Sequence, residues 1–383
     1  MSSLEQLLAA KEIVICCGAG GVGKTTTAAA AAAMAAVSLG GKVLVLTVDP
    51  ARRLADALGM EELGNVEVRV PDSTMKAAGV EPRGQLWAAM LDAKQSWDEL
   101  VRRHAPDTAT ERKILENPLY QNVSGRFAQG HEYIAMERLY EIHRTGAYDL
   151  IVVDTPPTRH ALDFLEAPDR MAEFFSSRLL RWLTAPARSR VLNLASRPFY
   201  QVADRILGSQ FLQDIGEFFL LFQTMYDGFV ERSQAVKRLI HGRRTTFLVV
   251  STLEGTPLRE AEFFLKALGE MDLHAGALVL NKVLPSTLLD PDSARVAERL
   301  CADGPALAGA LGPDAGDPTS VGRVLGEVGE SFLNFGVVAK REAEKRAELG
   351  TRPDVVITVP FFESDIYDLG GLLQLGRALW SAS

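Results

Sequence analysis

Residues 18 to 26 read Gly-Ala-Gly-Gly-Val-Gly-Lys-Thr-Thr and directly follow the apolar run Ile13-Val14-Ile15-Cys16-Cys17. The spacing fits G-x-x-x-x-G-K-[ST], with Gly18, Gly23, Lys24 and Thr25 at the fixed positions. Such a loop wraps phosphate oxygens with backbone N–H groups, and its glycines permit the close approach and unusual dihedrals this demands. A helix has to follow, its N-terminus and dipole facing the same anion. Thr26 to Val37 is nearly all alanine, a composition that favours helix. Gly18, Gly20, Gly21, Val22, Gly23, Lys24, Thr25 and Thr26 therefore form the expected phosphate cradle. Lys24 is expected to reach the outer phosphates and the Thr25 hydroxyl to ligate Mg²⁺. A chance glycine-rich turn would have no reason to lie between a strand and a helix in this order.

The chain has 383 residues, 47% of them hydrophobic, enough for a large core. Its net charge of −8 argues against general nucleic-acid affinity, so no nucleic-acid partner is expected. Cys16, Cys17 and Cys301 contain no C-x-x-C pair, which suggests neither a disulfide framework nor a thiolate zinc site. Met1 to Glu12 lacks the basic and apolar regions of a signal peptide. No uncharged apolar run reaches the ~18 residues of a membrane span. A soluble, cytoplasmic protein is expected.

Apolar runs alternate with helical patterns, which implies βαβ units and a mainly parallel sheet. Strands are predicted at Ile13–Cys17, Val43–Val48, Val66–Val70, Leu86–Leu91, Leu150–Asp154, Thr246–Ser251, Gly276–Leu280 and Val355–Val359. Most are continuous rather than alternating and should be buried on both faces. Helical patterns fill about 92–147 and 161–240, read as one helical subdomain inserted into a single P-loop domain spanning 1–383. The fold class is thus α/β: a mainly parallel P-loop sheet, helices on both faces and an inserted helical subdomain. Asp303 to Thr319, rich in Gly, Pro and Asp, reads as an exposed loop. Lys340 to Glu348 reads as a charged, solvated helix end.

Two aspartates close strand-like runs. In Thr47-Val48-Asp49-Pro50-Ala51-Arg52-Arg53-Leu54, Asp49 sits where parallel strands face a ligand crevice. There it orients and deprotonates an attacking water, or else simply caps a helix before Pro50. In Leu150-Ile151-Val152-Val153-Asp154, Asp154 takes the Walker B position, holding Mg²⁺ directly or through water. Lys24, Asp49 and Asp154 are the catalytic candidates, and Thr25 and Asp154 the metal candidates. The segment after Asp154 is placed to sense a γ-phosphate.

With these blocks in place, the chain resembles the deviant-Walker P-loop ATPases. Within them it is most similar to the arsenite-transporting ArsA and tail-anchored-protein-targeting family. GAGGVGKTT at 18, DPARRLADALG at 49 and DTPPTRHALDFL at 154 carry the likeness. Weaker echoes lie at Leu86–Met90, Val279–Lys282 and Val359–Phe362. The order of the blocks alone would also admit the MinD and ParA relatives. The resemblance implies an ATPase using ATP and Mg²⁺ and working as a dimer, with hydrolysis linked to opening and closing. By position, Asp49 would place the water and Asp154 would belong to switch II. Asn281 would hydrogen-bond adenine, with Pro360 and Phe361 lining the base; without the family, Asn281 also reads as an ordinary turn residue. The helical insertion would correspond to the client- or metalloid-handling region.

The departures are informative. The family has a second P-loop lysine that reaches across the dimer, and here that position is Ala19. Arg52 or Arg53 could substitute, or a paralogous subunit could supply the cation in a heterodimer. Arg159 and Pro156 replace switch II glycine and alanine, which stiffens that loop. The clustered cysteines of arsenite binding are missing, so soft-metal handling loses its ligands. The aromatic-rich positions Phe174, Phe175, Leu179, Trp182, Leu183, Phe218, Phe219, Phe222, Met225, Tyr226 and Phe229 recur at helical spacing. They read either as a groove for an apolar client helix or as the core of the helical region. His131 and His160 lack a second ligand at metal spacing. Two functions are consistent with these residues. One is a dimeric ATPase moving an apolar protein segment, or an anion through a membrane partner. The other is a nucleotide-dependent scaffold or regulatory subunit with weak ATPase activity.

Overall fold

The computed structural model describes residues 3–48, 53–123, 128–156, 218–221, 224–311, 316–349 and 353–381, with isolated positions between 162 and 173; the side chains of 122–131, 226 and 227 are not included. The chain runs α1 (Leu4–Ala9), β1 (Ile13–Gly18), α2 (Lys24–Ser38), β2 (Lys42–Thr47), α3 (Arg53–Leu58), β3 (Val68–Arg69), α4 (Asp72–Ala77), β4 (Gln85–Met90), α5 (Ala93–His104), α6 (Thr108–Glu116), α7 (Pro118–Val123) and α8 (Ala128–Arg144). It continues through β5 (Leu150–Asp154), α9 (Tyr226–Ile240), β6 (Thr245–Ser251), α10 (Gly255–Glu270), β7 (Ala275–Val283), a 3₁₀ turn (Ser286–Leu289), α11 (Pro291–Ala310), α12 (Pro318–Glu348), β8 (Val355–Pro360) and α13 (Leu369–Ser381).

The strands form one eight-stranded sheet in the order β3-β4-β2-β5-β1-β6-β7-β8. Every pairing is parallel except β3 with β4. The α/β class and the mainly parallel sheet expected from the sequence are therefore present. The fifth strand in sequence lies between the first two, so the chain reverses direction around β1. That is the switch point where open α/β sheets place ligands. The predicted Val66–Val70 strand shrinks to two exposed residues at the antiparallel edge. Edge strands are commonly kept short, which limits unwanted pairing.

Strand side chains alternate between two cores. Val14, Val43, Val45, Val152, Leu248 and Val250 point to one face, under α1, α2, α3 and α13. Ile13, Ile15, Leu44, Leu46, Ile151, Val153 and Phe247 point to the other, under α10 and the helical region. Each fully buried side chain of this size contributes about 1.5–3 kcal/mol. In α2, Ala28 to Ala33 are all 0% exposed. Their methyl groups let the helix lie close to the sheet on one side and to α3 and α13 on the others. This burial on all sides explains why α2 shows no amphipathic stripe.

On the opposite face, the described parts of the two predicted helical stretches pack on one another and on the sheet. Trp97 of α5, Tyr133 of α8 and Phe229 of α9 have ring centroids 5.8–6.4 Å apart. Phe218, Met225 and Phe229 are buried in this core, which makes them packing residues rather than groove lining. Phe174, Phe175, Leu179, Trp182, Leu183 and Phe222, and the side chains of Tyr226 and His131, lie outside the described residues. The core also holds Glu137, 1% exposed, 2.5 Å from Arg232 Nε and accepting a hydrogen bond from the Tyr133 hydroxyl at 3.0 Å. Burial pushes the Glu137 carboxyl up, and Arg232 opposes it. His104 and Glu141 lie beside it, their ligand atoms and that of Glu137 within 4.8 Å of one another. Arg232 and Arg103 already neutralise the two carboxylates, so the cluster is an ion-pair network rather than a cation site.

Where it is described, the expected loop at Asp303–Thr319 is largely helix. The structure continues α11 to Ala310 through a kink at Asp303 (φ −114°, ψ 16°), which accommodates Pro305. Asp317 then caps the 31-residue α12, accepting from Ser320 N. The two helices approach closely where glycines meet: a Cβ on Gly322 would lie 2.7 Å from Pro305 Cα, and one on Gly304 would lie 2.5 Å from Gly322 O. Residues that look like loop formers in sequence are here the small residues that allow this contact. Lys340–Glu348 forms the largely exposed, charged end of α12, as expected.

Two outcomes follow from this packing. Gly322→Ala should destabilise the α11–α12 pair by about 1–2 kcal/mol, because overpacking against backbone costs more than the ~1 kcal/mol helix gain of alanine. Faster amide exchange across residues 291–348 would report it. His104 is pushed down to about 4 from an ordinary 6.5, first by burial and then by the charge of Arg232. A lowered histidine value means that the stability it protects is complete above pH 6.5 and is lost as pH falls toward 4. Thermal melts of His104→Gln should accordingly depend less on pH across that window.

Candidate functional site

Parallel register sets the site. Cys16 pairs with Asp154, and Thr47 also pairs with Asp154, which puts the ends of β1, β2 and β5 at one level. β1 ends at Gly18, where the chain passes so close to β6 that a Cβ would lie 2.1 Å from Val250 O. The loop then turns into α2 through Gly23, which has φ +93° and caps the helix. No acidic residue occupies the first turn of α2, so its N-terminal partial charge stays positive toward the cleft.

Lys24 opens α2 with its side chain largely buried, and its Nζ donates to the Ala19 carbonyl at 2.9 Å. The Thr25 hydroxyl donates to Asp154 Oδ2 at 2.7 Å, and the Thr47 hydroxyl donates to the same oxygen at 2.9 Å. Asp154 and Thr47 are each 1% exposed. A buried carboxylate that accepts from two hydroxyls on one oxygen is held in a fixed orientation. Thr155 is anchored beside it, its hydroxyl donating to Cys16 O at 2.8 Å. Burial pushes the Cys17 thiol up to about 12 and raises Cys16 as well. Both therefore remain neutral packing groups rather than redox or metal ligands.

Above the strand ends lies a cleft of about 790 Å³. Gly20, Gly21, Gly23, Lys24, Thr25 and Thr26 line one side, and Phe361, Phe362, Ile366 and Leu375 supply an apolar side. Asn281 comes from β7, where the register shifts between Leu280 and Val283. Lys282 at this irregularity has φ +58°. The shift turns the Asn281 amide toward the loop, where Nδ2 donates to Val22 O at 2.9 Å. Pro360 ends β8 opposite Val283, and Phe361 N donates to Val283 O. Arg53 at the start of α3 also borders the cleft.

Of the predicted site residues, the structure brings together Gly18, Gly20, Gly21, Val22, Gly23, Lys24, Thr25, Thr26, Asp154, Asn281 and Phe361. Asp49, Arg52, Arg159 and His160 lie outside the described residues. The sequence reading gave no role to Thr47, Thr155 or Lys282. The available signal for Thr47 was a polar residue ending an otherwise apolar strand. The donor set fits Mg²⁺: a carboxylate and a hydroxyl, both oxygen donors, meet beneath a backbone anion cradle. Thr25 and Asp154 are the residues that would hold it.

Comparison with known proteins agrees with this geometry. Residues 11–301 match the family described as anion-transporting ATPase. The chain is 26% identical over 252 residues to a protein of Aquifex aeolicus whose name proposes an arsenical pump-driving ATPase, covering 66% of this chain and 73% of that one. It is 25% identical over 249 residues to the ATPase ASNA1 homolog of Entamoeba dispar, covering 64% of this chain and 67% of that one. It is 24% identical over 258 residues to ATPase GET3 of Malassezia globosa, covering 63% and 64%. With its glycine-rich loop in place and the Asp154 carboxylate bonded by the Thr25 and Thr47 hydroxyls, the chain belongs to the anion-transporting ATPase family.

Proposed function

We propose that the cleft binds Mg-ATP and hydrolyses it, and that the nucleotide state controls a dimer that handles a client. The observation that carries this reading is the Asp154 carboxylate shared by Thr25 from the phosphate loop and Thr47 from the neighbouring strand. In this reading the phosphates lie on the 18–26 loop at the N-terminus of α2, with Lys24 beside the β- and γ-phosphates. The base lies between the Asn281 amide and Phe361. Bound Mg²⁺ supplies charge neutralisation of the phosphate oxygens. Asp49 orients the water and takes its proton as the water oxygen bonds to the γ-phosphorus and the bond from that phosphorus to the bridging β-phosphate oxygen breaks, leaving ADP and phosphate. Thr47 keeps the Asp154 carboxylate pointed at Thr25.

Ala19 leaves the reading without a lysine from the partner. Arg53 supports a substitute from the same chain, because it borders the cleft. A heterodimer with a paralogous ATPase is the alternative source of that cation. No helix among the described residues is long and apolar enough to cross a membrane. In this reading the client is an apolar protein segment, or an anion that passes through a membrane partner. A scaffold or regulatory subunit with weak hydrolysis is the second reading, favoured by Ala19.

Hydrolysis of Mg-ATP by the purified chain, followed across protein concentration, separates the two readings. The enzyme reading expects Lys24→Ala to lower turnover roughly 10²–10³-fold, the usual effect of removing one preorganised charge-stabilising donor. Wild-type turnover equal to that variant, with ATP still bound, would support the regulatory reading. Thr47→Val should raise the Mg²⁺ concentration needed for half-maximal nucleotide binding by about tenfold, as loss of an outer partner of a ligand does. Thr47→Ser should restore it, and a titration of fluorescent ATP with Mg²⁺ would measure both.

A further inference from the structure

The second helix of the hairpin after β7 carries an apolar stripe on its outer face. Val324, Val328, Phe335 and Val338 of α12 are 44–53% exposed. With the exposed Ser331 they occupy positions 324, 328, 331, 335 and 338, spaced alternately by four and three, and the stripe ends before Glu342, which accepts a hydrogen bond from Leu284 N at 3.2 Å. This is the heptad seam of a helix that pairs with another helix. A shallow hollow of about 480 Å³ lies along it, bordered by Glu327, Glu330, Ser331, Asn334, Phe335 and Val338. The opposite side of α12 is used by α11, through Gly322 and Gly329. The matched family region ends at residue 301, so α12 lies beyond it.

The flank of the stripe identifies the occupant. The positions beside the seam, seven residues apart, are Glu327, Asn334 and Arg341. When two such helices pair antiparallel, this flank of one meets the same flank of the other. Centred on Asn334, the flank is its own complement: Glu327 faces the partner's Arg341, Asn334 faces the partner's Asn334, and Arg341 faces the partner's Glu327. The same alignment stacks Val328 on the partner's Val338 and Phe335 on the partner's Ser331. The in-helix competitor for Glu327 is an exposed Arg323 at 4.0 Å, worth little in water. A parallel pair would instead set this flank against Phe332, Ala339 and Arg346 on the partner's opposite flank, where nothing complements Glu327 or Arg341.

We propose that α12 is a self-association surface, pairing antiparallel with α12 of a second copy about a two-fold axis at Asn334. One patch that matches itself under a two-fold rotation is what a closed dimer requires. This contact needs no nucleotide and does not rest on the ATPase reading.

Sedimentation equilibrium of the full chain, in EDTA and without nucleotide, tests it. A dimer is expected at micromolar concentration, and Lys24→Ala should leave it intact. Phe335→Glu should raise the dimer dissociation constant about tenfold or more, as should Glu327→Arg and Arg341→Glu singly. The double variant E327R/R341E should restore it, because the charges are exchanged rather than lost. In a Cys301→Ser background, Asn334→Cys should be joined to the partner's copy by a short bismaleimide. Circular dichroism checks that each variant keeps its helix content. A wild-type monomer, a dimer indifferent to Phe335→Glu, or a double variant that does not recover would overturn the proposal. A dimer seen only with ATP would do so too, while leaving the ATPase reading standing. Seating of an apolar peptide on α12 with no self-association would assign the stripe to a client instead.

Discussion

The arrangement of the site rests on the parallel register that sets β1, β2 and β5 level at their C-terminal ends. Because Thr47 and Cys16 both pair with Asp154, the carboxylate emerges beneath the loop that leaves β1. Thr25 and Thr47 then reach the same oxygen. A slip of one residue in β5 would turn Asp154 to the opposite face of the sheet and send an apolar side chain into the cleft. Burial guards against that slip, since strand residues on both faces enter well-filled cores. Packing of Val and Ile side chains thus holds a charged group in place, although no apolar side chain touches it in a chemical role.

The helix after the loop needs equally close packing. A phosphate loop works only if its helix starts at the strand end, and α2 meets this condition by being thin. Alanine methyl groups let it settle between the sheet, α3 and α13 without a bulky layer. The same alanines have the highest helix propensity, so local preference and tertiary packing agree. The glycine entry at Gly23 suits the left-handed turn that starts the helix. It also leaves space for Asn281, whose amide nitrogen would lie 2.5 Å from a Cβ there.

The two helical layers of the molecule differ in chemistry. The α5–α9 side is filled by Trp97, Tyr133 and Phe229 and holds the buried Glu137 against Arg232, with the half-buried Arg138–Glu67 pair beside it. Removing Arg232 would leave the Glu137 carboxyl buried without its counter-charge and cost about 3–5 kcal/mol, so this pair acts as an internal constraint. The α11–α12 pair is joined through glycines and keeps much of its apolar surface outside. Among the described residues, one layer turns its aromatic side chains inward, while the other presents a patterned surface to solvent.

Much of this was legible in sequence because it is local. The Gly18–Thr25 run, the apolar strands and the aspartate closing Leu150–Asp154 are short patterns whose backbone demands fix strand, loop and helix in order. Asn281 and Phe361 were reached only through resemblance, because a bulge in β7 and the end of β8 carry no local signal of facing a loop more than 250 residues away. Thr47 and Thr155 were passed over, since a threonine at a strand end is common and its partner is chosen by register. The α11–α12 pair was misread at Asp303–Thr319 because glycine and proline break isolated helices, yet the same glycines permit close approach once a second helix is present. The sequence by itself determined the phosphate loop, the strand-and-helix alternation and the identity of the charged groups, all of which depend on neighbours along the chain. Only the tertiary structure decided which oxygen each hydroxyl meets and which helix face remains outside, because those depend on sheet register and packing between distant segments.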